Sequence, residues 1–301
     1  MVWLAGMLPY EQAEQVFERI GKRLVSATSI WEQVEQHGPR LQAYIEHQQD
    51  MVRIGRVVLP GNDLDIRKGG SLDGGMVHIR EEGWKEFKMG TVFDVDIRLE
   101  RDPGTAELVE KPHGSNMTYA AVLGKPEAFA PALWKIAVDH QVPQAFHSSV
   151  TADGAEWIWN LVNDYFPDSI QILDWYHATQ HLAQAASALY PADEDRAKRW
   201  FTGACHDLYQ GAIHRITLRL DHAGLSEHAR YFHHHKRRMQ YQAFSEDGYP
   251  IGSGTVESGI KQFKQRLAGP GMRWSRSGAK HMLTIRSAVL SRSFDVLWDA
   301  A

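Results

Sequence analysis

Three carboxylates and one aspartate–histidine pair are the residues of this chain whose settings suggest chemistry. Asp73 lies in SLDGG, Asp153 in TADGAEW and Glu257 in PIGSGTVESG, while Asp174 and His177 form the Asp-x-x-His of DWYH. Three carboxylates gathered without thiolate or imidazole make a hard-oxygen site, which suits Mg²⁺ or Mn²⁺. Two such ions can activate a nucleophile and steady the leaving oxygen of a phosphodiester. Taken singly, each acid has a plainer role: an Asp before Gly-Gly is a turn residue, and Asp153 before Gly154 is a helix N-cap. His177 and His181 are four apart, as on a zinc-binding helix, but HATQH has no glutamate to serve as the base of a metalloprotease.

Glu257 has the most unusual surroundings. From Ile251 to Arg292 it is the sole acid among eight cations: Lys261, Lys264, Arg266, Arg273, Arg276, Lys280, Arg286 and Arg292. The chain as a whole carries a net charge of only −4, so this basic stretch is a local feature. Lys and Arg in such a run neutralise phosphates and bind a nucleic-acid backbone with little base preference. Trp274, between Arg273 and Arg276, could stack on an exposed base or equally pack beneath its helix.

The elements that must position these residues can be read from periodicity. Residues 1 to 56 predict helices: Ala13, Val16, Phe17 and Ile20 recur at helical spacing, and Ser29-Ile-Trp-Glu32 has the form of a capping box opening a second helix. Around GKRLVSATS these helices make either a helical hairpin or, with less support, a helix-turn-helix that meets DNA. RKGGSLDGGMVHIR predicts a first strand. In EFKMGTVFDVDI the residues from Phe87 to Ile97 alternate as in a half-buried second strand, and a turn through Pro103 and Gly104 leads to the third, NMTYAAVLG. A helix through Phe129, Leu133, Ile136 and Ala137 follows, then the strand QAFHSSVTAD, the helix AEWIWNLVNDYF and the strand SIQILDW. From 178 to 250 the pattern is helical, with breaks at Pro191 and Gly224. Nine of the sixteen histidines fall between His177 and His235 without a metal-ligand spacing. A last amphipathic helix carries Val256, Ile260, Phe263 and Leu267 as its apolar stripe, with Glu257 one residue round from it.

Composition bounds the rest. At 301 residues and 43% hydrophobic the chain can bury a full core. It has no apolar run of membrane-spanning length, its opening lacks a signal-peptide pattern, and its one cysteine, Cys205, allows no internal disulfide. An intracellular, cytoplasmic protein with no membrane partner is expected.

Three meandering strands, then alternating helices and strands, then a terminal helix laid back on the sheet is the element order of the ribonuclease-H-like fold, an α/β class in which the first and fourth strands pair in parallel. The motifs go further. SLDGG, then TADGAEWIW with YFPDSIQILDWYHATQHL, then PIGSGTVESGIKQFKQRLAGPGMRWSRSGAKHMLTIRSAVLS together resemble bacterial insertion-sequence transposases of the DDE type, in the Mutator-like broad group and closest to the Kra-type family. The resemblance runs in order over residues 67 to 293. It implies a catalytic core over 67–177 and 251–301 interrupted by a helical insertion at 178–250, preceded by an N-terminal segment, 1–66, shorter than the DNA-binding region such transposases usually carry. It also implies Asp73, Asp153 and Glu257 as ligands of two Mg²⁺ or Mn²⁺ ions. Lys261, Lys264, Arg266, Arg273, Trp274, Arg276 and Lys280 would form a DNA-binding face, with Asp174 and His177 as a structural motif. DNA and a second copy of the chain in a synaptic complex are the implied partners. A nuclease that only cuts, and a DNA-binding protein that no longer cuts, are the alternatives.

Overall fold

The computed structural model of the protein describes residues 1–53, 66–101 and 107–301. A five-stranded mixed sheet in the order β3-β2-β1-β4-β5 forms its centre. β1 (Arg67–Ile79), β2 (Gly83–Arg101) and β3 (Leu108–Leu123) are antiparallel neighbours. β4 (His147–Ala152) lies parallel to β1, as expected of the first and fourth strands, and β5 (Ile170–Leu173) lies parallel to β4. Helix α4 (Pro126–Asp139) leads from β3 to β4, and α5 (Glu156–Tyr165) from β4 to β5.

Strand alternation sends neighbouring residues into two different cores. Leu72, Val92, Ala120 and Val150 pack with Phe129 and Leu133 of α4 and Ile158 and Val162 of α5. Val77, Phe87, Met89, Tyr119 and Ala121 pack on the other face with α11 (Gly254–Leu267) and α12 (Arg276–Leu290). The half-buried reading of β2 is therefore corrected. Every residue from Phe87 to Phe93 is buried, because helices cover both faces of that strand, and it emerges only beyond Val95. Past the last β1 partner, Lys68 opposite Asp94, β2 and β3 continue together as a two-stranded ribbon, so both are longer than their apolar segments suggest. The expected turn at Pro103 and Gly104 lies outside the described residues.

Residues 175–246 hold five α-helices and no strand: α6 (Trp175–Leu189), α7 (Glu194–Tyr209), α8 (Ile213–His222), α9 (Ser226–His235) and α10 (Tyr241–Glu246). The expected helical segment thus begins at the very end of β5. Its breaks fall near Pro191 and at Gly224, whose positive φ suits glycine as a helix stop; Gly211 supplies another of the same kind. Leu208, Ile216, Leu220 and Phe232 belong to the same core as Leu72, so these helices sit on the α4–α5 side of the sheet.

The N-terminal stretch forms α1 (Val2–Met7), α2 (Tyr10–Arg19) and α3 (Ala27–Arg53). Ser26, not Ser29, caps the long helix: its Oγ accepts the Ser29 N–H at 3.1 Å, three residues upstream of the expected start. Ile20 is 78% exposed because α2 ends at Arg19 and the chain turns away from the core. α3 is 27 residues long, which favours the hairpin over a compact helix-turn-helix. Val2, Ala5, Ile30, Val34 and Leu41 join the core that includes α11 and α12, so this segment is part of the same folded body as the sheet. Among the described residues, no helix is long and apolar enough to cross a membrane.

Candidate metal centre

Sheet register assembles the site. Leu72 of β1, Ala152 of β4 and Leu173 of β5 stand in one row across three parallel strands. The next residue of each strand is an aspartate: Asp73, Asp153 and Asp174. These acids occupy neighbouring positions beyond the carboxyl ends of β4 and β5, the edge at which open α/β sheets hold ligands.

Asp73 and Asp153 engage only local backbone donors. Asp73 Oδ1 accepts the Gly74 N–H at 2.6 Å, and Asp153 Oδ1 accepts the Ala155 N–H at 2.9 Å in a turn just before α5; the N-cap reading of Asp153 is corrected, because Ala155 holds that position and no side chain caps the helix. Burial pushes the Asp73 carboxyl above the usual range; the Gly74 N–H opposes this, Asp153 adds to it, and His177 and Lys264 act against it from a distance. Among the described residues neither acid is in a salt bridge. Two hard-oxygen donors side by side, one of them driven toward its protonated form by burial, fit a divalent cation.

Asp174 is built differently. It is fully buried, and its Oδ1 accepts both the His177 N–H at 2.8 Å and, at 2.9 Å, the His177 ring at Nδ1. Its Oδ2 accepts the Ser253 N–H at 2.5 Å. Burial alone would raise this carboxyl, but the hydrogen bonds from His177 and Ser253 outweigh it and hold the group below its ordinary value. His177 is raised in turn, first by its bond to Asp174, against some burial, then by the charges of Asp174, Asp153 and Asp73. Asp174 also caps α6. Because Ser253 immediately precedes α11, and Trp175 N–H donates to Ile251 O at 3.0 Å, this turn fixes the start of the helix whose first turn carries Glu257.

One carboxylate oxygen from each of Asp174 and Glu257 and one ring nitrogen of His177 lie within 4.8 Å of one another. Asp73, Asp153 and Glu257 do not draw together as tightly. The Asp174–Ser253 bond ties the head of α11 to the end of β5, and Glu257 gathers with the aspartate–histidine pair. The two groupings are near enough to influence one another's charge: His177 lowers Asp73, and Asp73 helps to raise His177. The DWYH spacing disclosed the hydrogen bond; the bond to Ser253, 79 residues on, has no local signal.

Helix α11 can lie close on the sheet because residue 259 is glycine. A Cβ there would stand 2.7 Å from Tyr119 Cε1 and 2.9 Å from Met89 Cε. Along its flank Lys261, 79% exposed and 3.9 Å from Glu257, and Lys264 reach solvent; Arg273 and Lys280 are exposed farther on. Arg276 is exposed but held by Glu82 through two hydrogen bonds of 2.7 and 2.5 Å. Arg266 and Trp274 require correction as DNA-binding residues. Arg266 is 2% exposed, donates to Ala5 O at 2.6 Å and lies over the rings of both Tyr10 and Trp274. Trp274 is buried, its indole N–H donates to Leu267 O at 2.8 Å, and its backbone pairs with the end of β1. Of the two roles open to that tryptophan, packing beneath the helix is the one observed.

No family model matches the chain, and no curated protein matches it.

Proposed function

We propose that the protein is a DDE-type DNA transposase with a ribonuclease-H-like core, which hydrolyses one strand at a transposon end and joins the freed 3′-hydroxyl to target DNA. The observation that most supports this reading is the placement of Asp73 and Asp153 at adjacent positions on paired parallel strands of a β3-β2-β1-β4-β5 sheet, opposite a helix that carries Glu257 in its first turn. In this reading Asp73, Asp153 and Glu257 hold two Mg²⁺ or Mn²⁺ ions. Bound there, the ions would supply charge stabilisation at the phosphoryl oxygens and a nucleophile deprotonated at neutral pH. The chain's own part is to bind and orient. Lys261 and Lys264 receive the DNA backbone along α11, and the buried Asp174 turn keeps α11 in register with the strand ends. No side chain need form a covalent intermediate.

The test is a set of labelled DNA duplexes carrying the sequences that flank the gene on either side. Nicking is expected in Mg²⁺ or Mn²⁺, little in Ca²⁺, whose larger coordination sphere misplaces the oxygens, and none in EDTA. Joined products separate a transposase from an enzyme that only cuts. DNA binding with no cleavage in any divalent ion would refute the proposal.

A further inference from the structure

We infer that His177 is itself a metal ligand, oriented by Asp174 and acting beside Glu257, so that one cation position of this site is a mixed nitrogen–oxygen site. The inference rests on the metal-binding part of the function proposed above and is independent of its DNA chemistry. Asp174 has little left to offer an ion: its Oδ1 accepts from two donors and its Oδ2 from the Ser253 N–H, in a fully buried position. What it does offer is orientation. By engaging Nδ1 it places the imidazole proton on that nitrogen and leaves the Nε2 lone pair open, as carboxylates behind metal-bound histidines do. His177 and Glu257 are each about one-third exposed, so a hydrated ion can reach both. One ring nitrogen of His177 and one carboxylate oxygen each of Asp174 and Glu257 lie within 4.8 Å of one another, so the imidazole stands beside the glutamate that would share the ion. An imidazole in place of one oxygen changes selectivity: Mg²⁺ gains little from it, whereas Mn²⁺ and later first-row ions gain more.

The experiment is pulsed electron paramagnetic resonance on the full-length chain, without a histidine tag and titrated with Mn²⁺, accompanied by calorimetric titration with Mn²⁺ and Mg²⁺. The expected result is a ¹⁴N coupling to Mn²⁺ that changes to the ¹⁵N pattern when histidine is labelled. His177→Gln should abolish it and weaken Mn²⁺ binding roughly tenfold or more while changing Mg²⁺ binding less. Asp174→Asn should weaken Mn²⁺ binding by about 10–100-fold, in the range for loss of an orienting partner. Absence of a ¹⁴N coupling in the wild type, its persistence in His177→Gln, or failure to bind Mn²⁺ would each overturn the inference. DNA cleavage is scored separately. Nitrogen-ligated Mn²⁺ in a protein that never cuts DNA leaves this inference standing and removes the transposase reading; cleavage without nitrogen ligation does the reverse.

Discussion

Asp153 and Asp174 occupy neighbouring strand ends, yet their removal should have unlike consequences for the metal-free protein. Asp174→Ala deletes the cap of α6, worth roughly 1 kcal/mol. It strands the Ser253 N–H beside a buried position, about 1–2 kcal/mol. It also removes a charged partner from His177, whose side chain is 35% exposed, which after solvent screening adds at most about 1 kcal/mol. The sum, about 2–4 kcal/mol, corresponds to a fall in melting temperature of roughly 4–16 °C for a chain of this size. Asp153→Ala loses one hydrogen bond to Ala155 but relieves its repulsion of Asp73, so a net change within about 1 kcal/mol is expected. The pH dependence carries a sign. Asp174 is depressed from an ordinary value of 3.8, so its contribution is full above that value and lost as pH falls through the lower folded one. His177 is raised from 6.5, so its contribution is full below that value and lost as pH rises through the higher folded one. The wild-type advantage over Asp174→Ala should therefore be greatest between about pH 4 and 6.5. Thermal and urea unfolding in EDTA, from acid to mildly alkaline pH, measures it. Equal apo stability of Asp174→Ala and wild type, or a loss in Asp153→Ala as large as in Asp174→Ala, would refute this division of roles.

The remaining expectations concern α11 and its DNA-facing flank. Lys261→Ala with Lys264→Ala should weaken binding to all DNA sequences alike and lower the log–log salt slope by about 0.9 for each phosphate no longer neutralised. Arg266→Ala should leave that slope unchanged and instead lower the melting temperature, since the residue is enclosed by Tyr10, Trp274 and the Ala5 carbonyl. Gly259→Val should destabilise by roughly 1–3 kcal/mol, because the new side chain meets Tyr119 and Met89 at less than van der Waals distance. Asp153→Asn should bind DNA as the wild type does and fail to nick it in Mg²⁺; nicking at the wild-type rate would exclude Asp153 from the site.

The succession of strands along the chain and the helical character of 175–246 were legible because alternation and helical spacing are local properties, whereas the parallel pairing of β1 with β4 followed only from the element order's likeness to a known fold. Ile260, Phe263 and Leu267, expected as the apolar stripe of α11, are buried. That stripe also held the clue to Arg266, which lies three residues after Phe263 and beside Leu267. Charge alone cannot distinguish a cation in solvent from one that serves the carbonyls of another helix. β2 was misjudged for a related reason: strict alternation identifies a strand but does not say whether its second face is also covered. The convergence of Glu257 with Asp174 and His177 depends on a backbone donor at Ser253, and a backbone N–H is common to all residues but proline, so sequence leaves it unmarked.

The buried arginines of α11 and α12 bear on the order of events during synthesis. Arg266 holds Ala5 O across 261 residues of chain, and Arg286 holds Gly6 O across 280. The core on that face of the sheet draws on Val2 to Leu41 and on Ile260 to Phe294, whereas the opposite core is built mostly from residues between Leu72 and Tyr249. On the ribosome the α4–α5 face can therefore close while the other face still waits for α11 and α12, and α1 has no partner for its terminal carbonyls until those helices emerge. Glu257 arrives with them. A nascent chain would expose apolar sheet surface until α11 and α12 had emerged, and the full set of acids would come together only then.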